Sequence, residues 1–119
     1  MPREVPALNP LSGRLERGKV WRMTRPKKID DGALETWLSS HPGWSREGDA
    51  LVRRYDFPDF SGALCFAVRL GLYAEKKDHH PDLLISWGKA EVRWTTHDAG
   101  GLSELDLSGA EAADAFHHP

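Results

Sequence analysis

The sequence has little cysteine and no long apolar run. Its single cysteine, Cys65, excludes an internal disulfide and a zinc site built from cysteines. No stretch approaches the ~18 apolar residues that a membrane-spanning helix needs, and no apolar leader with a cleavage site is visible at the N-terminus. We therefore expect a protein of the cytoplasm with no membrane partner.

Several signatures of enzymes are also missing. There is no glycine-rich phosphate loop, no Ser-His-Asp arrangement and no nucleophilic-cysteine signature. The 119 residues are 39% hydrophobic and 29% charged, a composition typical of one soluble globular domain. The sequence therefore does not indicate any of these three kinds of chemistry.

Charge is distributed unevenly along the chain. Residues 1–28 carry eight basic and two acidic side chains, whereas the rest carries eight basic and sixteen acidic ones. Four prolines discourage regular structure in the first segment. We expect a flexible basic extension over residues 1–28, able to contact an acidic protein partner, and a single domain over residues 29–119. Nucleic acid is a less favoured partner, because the extension has no dense run of like charge and only one aromatic residue, Trp21.

The spacing of apolar residues and turn residues predicts seven secondary-structure elements. The first half of the chain contains a helix capped by Asp30 or Asp31 and stopped at residues 41–43, and then a hairpin over 44–57 that turns at Gly48-Asp49. The second half contains a helix over 59–77, strands over 83–87 and 91–96 with Gly88-Lys89 at their turn, and a helix over 103–116. Hairpin-connected strands favour one four-stranded antiparallel sheet with the helices packed on one face. The predicted fold is therefore α+β, in the order α-β-β-α-β-β-α.

The helix over residues 59–77 is apolar on nearly every side. We expect one apolar side to face the sheet, and Cys65 to lie in the core as well. That side consists of Phe60, Ala63, Leu64, Ala67, Gly71 and Ala74. The remaining apolar surface favours a second subunit, so this helix predicts a homo-oligomer.

The six histidines include two sites that the predicted fold can bring together. His79 and His80 follow the long helix, His97 follows the last strand, and one hairpin joins these elements. An imidazole accepts or donates a proton near neutral pH, so a histidine cluster is suited to acid–base catalysis. We expect the terminal His117 and His118 to be disordered.

Each of these residues also has a simpler interpretation. His79 and His80 could cap the C-terminus of the long helix, His97 could be a loop residue, and Asp106 could serve only in a capping box with Ser103. A zinc site of three histidines and an acid is a further alternative, but adjacent histidines followed by proline are not a usual chelating spacing. We therefore predict no metal.

Separated segments of the sequence resemble the pterin-4a-carbinolamine dehydratase family. The run EKKDHHP over residues 75–81 is followed at the family's intervals by Trp87, His97 and Asp106. The segments GW at 43–44, YDFPDF at 55–60 and THDAGGLS at 96–103 are also similar to that family. The resemblance covers roughly residues 29–116.

The resemblance implies an activity and a quaternary structure. Enzymes of this family dehydrate 4a-hydroxytetrahydropterin to quinonoid dihydropterin and water, which recycles the pterin cofactor of aromatic amino acid hydroxylases. They need no metal, nucleotide or redox cofactor. The family fold agrees with the α+β prediction, and its members form dimers or tetramers with the long helix at an interface.

The resemblance also implies a role for each matching residue. It implies that His79 and His97 are general acids and that His80 binds the pterin. The other matching residues have supporting roles: Pro81 fixes the turn, Glu75 and Asp106 are supporting acids, and Trp44 is the aromatic residue at the pocket mouth.

Some relatives imply a different class of function. Dehydratase-like proteins include a dimerisation cofactor of a homeodomain transcription factor and an assembly factor for Rubisco. Such roles use the surface of the oligomer and need no intact site. Because all three matching histidines are present here, we favour the enzyme.

Overall fold

The structure, a computed structural model, describes residues 26–118. Its elements are α1 (Asp31–Ser40), β1 (Ser45–Glu47), β2 (Ala50–Asp56), α2 (Phe60–Lys77), β3 (Asp82–Ser86), β4 (Lys89–Trp94), a 3-10 turn (His97–Ala99) and α3 (Glu104–Phe116). This order confirms the predicted α+β fold. Most of the predicted basic extension lies outside the described residues. Within them, no helix combines the length and apolarity that crossing a membrane would require.

The four strands form one antiparallel sheet in the order β1-β2-β4-β3. On β4, Ala90, Val92 and Trp94 are fully buried, while the intervening Glu91 and Arg93 stay partly exposed. Side chains alternate between the two faces of a strand. The helices therefore cover one face of the sheet, and the other face carries charged side chains.

The β3–β4 hairpin turns one residue earlier than predicted. Its turn residues are Trp87 and Gly88, and β4 ends at Trp94. Gly88 has φ of 71°, and a Cβ at this position would lie 3.1 Å from the carbonyl oxygen of Phe57. Glycine adopts this left-handed conformation without a steric penalty, which explains where the chain turns. His97 begins the 3-10 turn that follows the strand, as its predicted place after the last strand requires.

Helix α2 has two apolar faces, and the predicted inner face is only partly right. The face that packs on the core consists of Ala63, Phe66, Ala67, Leu70 and Ala74. Phe60 and Leu64, expected to be buried, are 45% and 44% exposed. Both faces have helical spacing, so periodicity alone could not select the one against the sheet.

The prediction for Cys65 is wrong, because its side chain is exposed on α2. It lies on the flank of the helix between the buried face and an apolar face that stays in solvent. That second face is a row at four-residue steps, which we call the outer stripe: Phe60, Leu64, Val68 and Leu72. A small side chain among larger apolar ones is compatible with either environment.

The expectation of disorder at His117 is also wrong. Its ring packs 4.8 Å from the Tyr55 ring and 5.2 Å from the Phe57 ring, measured between centroids. Its Nε2 lies 3.2 Å from the carbonyl oxygen of Asp56. An aromatic cluster that extends to the end of β2 therefore holds the residue that follows α3.

Candidate functional site

Three of the predicted histidines line one cavity of about 240 Å³, here called the histidine cavity. His79 and His80 approach it from the end of α2, and His97 approaches it from the 3-10 turn after β4. The other lining residues are Pro26, Asp78, Thr95, Thr96, Asp98 and Leu105. The structure thus brings together the two histidine sites that lie 17 positions apart in the sequence.

The end of α2 directs the paired histidines away from the helix. Asp78 has a left-handed conformation with φ of 55°, and the backbone N–H of His79 donates to the carbonyl oxygen of Ala74 at 3.1 Å. A left-handed residue after a helix reverses the chain and satisfies its last carbonyl groups. Pro81 then precedes β3 and restricts the backbone of His80.

A buried carboxylate holds His79. Its Nε2 lies 2.7 Å from Oδ1 of Asp106, whose side chain is fully buried. The other carboxylate oxygen accepts hydrogen bonds from Thr96 Oγ1 at 2.6 Å and from the backbone N–H of Ser103 at 2.9 Å. Asp106 therefore combines two functions: it completes the capping box of α3, and it fixes one nitrogen of His79.

The other histidines are in more open surroundings. The Nε2 of His80 lies 2.7 Å from Oε1 of Glu75, and both side chains are more than half exposed. His97 is exposed at the edge of the cavity. The site therefore has one imidazole tied to a buried acid, one tied to a surface acid and one facing solvent.

Trp44 was predicted as a site residue, but within a single chain it lies away from the histidine cavity. It is 5% exposed, and its Nε1 lies 3.1 Å from both carboxylate oxygens of Asp114. Asp114 also accepts hydrogen bonds from Arg53 at 2.9 Å and Tyr55 at 2.5 Å. Asp114 lies eight positions along α3 from Asp106, about 12 Å of helix.

The network around Asp114 affects the ionisation of its phenol. Burial raises the pKa of Tyr55 above its usual range, and the hydrogen bond to Asp114 and its negative charge act in the same direction. The phenol therefore stays a hydrogen-bond donor at neutral pH. This network stabilises the end of the fold away from the histidine cavity.

Two residues that support the site were not among the predicted site residues. The indole of Trp94 is nearly parallel to the His79 ring, with 5.4 Å between centroids and an interplanar angle of 15°. Thr96 connects the carboxylate of Asp106 to the hydroxyl of Ser103, with 2.8 Å between the two hydroxyl oxygens. Alternation along β4 marks Trp94 only as an inward-facing core residue. Within residues 26–118, no group of three or more His, Cys, Asp or Glu side chains is arranged to hold a metal ion.

Comparison with known proteins agrees with this geometry. Residues 27–116 match the family described as pterin 4 alpha carbinolamine dehydratase. A relative from Rhizorhabdus wittichii, provisionally named a pterin-4-alpha-carbinolamine dehydratase, is 48% identical over 81 residues, which cover 66% of this chain and 84% of the relative. A relative of the same name from Thermomicrobium roseum is 42% identical over 81 residues and covers 68% and 87% of the two chains.

Two solved structures are also similar. The crystal structure of a transcriptional coactivator/pterin dehydratase from Brucella melitensis has a TM-score of 0.73 at 31% identity, covering 77% of this chain and 100% of the other. A pterin dehydratase-like protein identified as a RuBisCO assembly factor in the alpha-carboxysome has a TM-score of 0.56 at 20% identity, covering 64% and 90%, and is similar in fold alone. On the family match and the sequence identities together, the chain belongs to the pterin 4 alpha carbinolamine dehydratase family.

Proposed function

We propose that the protein dehydrates a 4a-hydroxytetrahydropterin to the quinonoid dihydropterin and water. The observation that carries this proposal is the histidine cavity, where three imidazoles converge and one is bound to a fully buried carboxylate. Family membership supports the same reaction class. The reaction would return the pterin cofactor of aromatic amino acid hydroxylases to a form that can be reduced.

The chemistry of this reaction requires proton transfer. The C4a–O bond breaks, and the oxygen leaves as water after it takes a proton, because hydroxide is a poor leaving group. The lone pair of the neighbouring ring nitrogen forms a C=N bond, and a ring N–H proton is lost. The net change is the loss of one water molecule, so one proton is donated and one is accepted. A positioned general acid typically contributes about 10²–10⁴-fold to such a rate.

His79 is suited to this transfer because its two nitrogens are in different environments. When Nε2–H donates to Asp106, a neutral imidazole has its lone pair on Nδ1. Protonation then makes Nδ1–H an acid that the nearby carboxylate supports. We assign His79 and His97 as general acids for the 4a-hydroxyl group, and His80 as the residue that binds the pterin ring.

Variants of the histidines test these roles. The 4a-hydroxytetrahydropterin is generated with a phenylalanine hydroxylase, and its loss is followed by absorbance. We expect His79→Ala and His97→Ala each to retain part of the rate, and the double variant to lose most of it. His118→Ala is the matched control, because this exposed histidine lies outside the histidine cavity. A double variant as fast as the control would refute the assignment.

We also propose that the outer stripe of α2 binds a second copy of this chain, giving a homodimer or homotetramer. Its four apolar side chains are between 44% and 67% exposed in a single chain. Contiguous apolar surface of this kind marks an interaction site. Sedimentation at micromolar concentration should detect an oligomer, and Val68→Glu should shift it toward monomer. Wild-type protein that sediments only as a monomer would contradict this proposal.

A further inference from the structure

His79 separates two cavities. One is the histidine cavity, and the second, of about 170 Å³, lies between α2, α3 and β4. The residues that line this second cavity are Tyr73, Lys77, His79, Trp94, Leu105 and Ser108. Because His79 borders both cavities, close packing on every side does not fix the orientation of its imidazole.

The hydrogen bond to Asp106 leaves the imidazole one degree of freedom. The imidazole turns about two side-chain torsions, χ1 and χ2, and a single contact of 2.7 Å between Nε2 and Oδ1 restricts only one combination of them. The stacked indole of Trp94 removes this freedom, because a flat surface opposes any tilt of the ring that faces it. Hydrogen bond and stacking together define both the position and the plane of the imidazole.

The indole is itself packed closely against α3. Trp94 is fully buried, and a Cβ added to Gly109 would lie only 2.5 Å from its ring. Helix α3 therefore packs its backbone directly against the indole at the one residue that has no side chain. The indole has little room to move away from His79.

Trp94 is a costly residue at this position. Its Nε1 is buried and has no hydrogen-bond partner among the described residues. A buried donor without an acceptor destabilises a fold. A phenylalanine would keep an aromatic face toward His79 without this cost, and a methionine would keep apolar volume without the flat face.

We propose that Trp94 is a positioning residue that holds the His79 imidazole at the wall of the histidine cavity and out of the second cavity. The expected effect on the dehydration rate rests on the proposed function, whereas the orientation of the imidazole does not. The role concerns the orientation of an acid–base group, so it predicts a change in kcat more than in KM. Displacing a reacting group by about 1 Å can reduce a rate on the order of 10²-fold.

The test compares Trp94→Met with the conservative Trp94→Phe. We expect kcat of Trp94→Met to fall by roughly 10- to 100-fold with KM changed little, and Trp94→Phe to stay within a few-fold of wild type. Gly109→Ala is a second perturbation, because its Cβ displaces the indole without contacting His79. It should also lower kcat. Thermal unfolding of each variant shows whether the fold is intact.

A spectroscopic measurement separates this inference from the proposed function. In side-chain ¹H–¹⁵N spectra at several temperatures, the His79 Nε2–H signal should be sharp and exchange slowly in wild type and Trp94→Phe. It should broaden in Trp94→Met or Gly109→Ala. If these changes occur but no form is active, the proposed function fails and the positioning role stands. A folded Trp94→Met or Gly109→Ala with the wild-type signal and kcat would overturn the positioning role.

Discussion

The most informative single substitution is Asp106→Asn, which replaces one carboxylate oxygen by an amide nitrogen without changing shape. One carboxylate oxygen faces His79 Nε2 at 2.7 Å, and the other faces the Ser103 N–H at 2.9 Å and Thr96 Oγ1 at 2.6 Å. An asparagine has one acceptor and one donor end, so it cannot serve both sides. If its oxygen accepts from Ser103, its NH₂ group faces His79 and forces the imidazole into the other tautomer. If its oxygen faces His79, two donors meet at Ser103.

The substitution should affect both the stability of the fold and kcat. A hydrogen bond to a charged group contributes about 1.5–3 kcal/mol, so we expect a loss of stability in this range. For a domain of this size, that corresponds to a decrease in Tm on the order of 10 °C. An NH₂ group that faces Nε2 opposes the doubly protonated imidazole that must donate from Nδ1, so kcat should fall at least about 10-fold, within the ~10²–10⁴-fold that general acid catalysis supplies.

Calorimetry and the dehydratase assay measure these effects, with Glu104→Gln as the matched control. Glu104 also carries a negative charge in the first turn of α3, but it is exposed and does not contact His79. The control should change Tm and kcat little. If Asp106→Asn has the Tm and kcat of the control, the buried carboxylate does not fix the tautomer of His79, and this reasoning is refuted.

Three further predictions concern other parts of the structure. Tyr55→Phe should lower the free energy of unfolding at neutral pH, and its difference from wild type should shrink above about pH 10, because the stability that comes with a raised pKa is lost once the unfolded phenol ionises. Urea unfolding from pH 7 to 11 measures this difference, and a difference that stays constant would show that the phenol is not perturbed. His80→Ala should raise KM for the pterin more than it lowers kcat, and the reverse pattern in steady-state kinetics would contradict its binding role. Gly88→Ala should destabilise the fold by about 1–2 kcal/mol in urea unfolding because its φ is 71°, and an unchanged midpoint would disprove strain at this turn.

The sequence predicted those parts of the fold that local chemistry determines. Asp30 accepts from the backbone N–H of Ala33, and Ser103 pairs with Asp106 in a capping box, as predicted for these helix starts. The identity of the face of α2 that packs on the sheet was not predictable, since both faces have the same period. It depends on which side chains fit against the sheet, which is a tertiary property.

The site shows a similar division. The motif predicted that His79 and His97 lie at one site, because the β3–β4 hairpin begins after His79 and ends before His97. The roles of Trp94 and Thr96 depend on contacts with the end of α2 and the start of α3 that no spacing in the sequence encodes. The expectation for Trp44 came from the resemblance alone, and in a single chain its indole is bound to Asp114.

The dehydration rate in the presence of the wild-type protein tests the central claim most directly. The measurement follows the loss of 4a-hydroxytetrahydropterin at increasing protein concentration, with the His79/His97 double variant measured in parallel. The account predicts a rate that rises in proportion to the wild-type protein and stays near the uncatalysed value for the double variant. A folded, oligomeric wild-type protein that leaves the rate at the uncatalysed value would contradict it, and would instead favour a binding or assembly role.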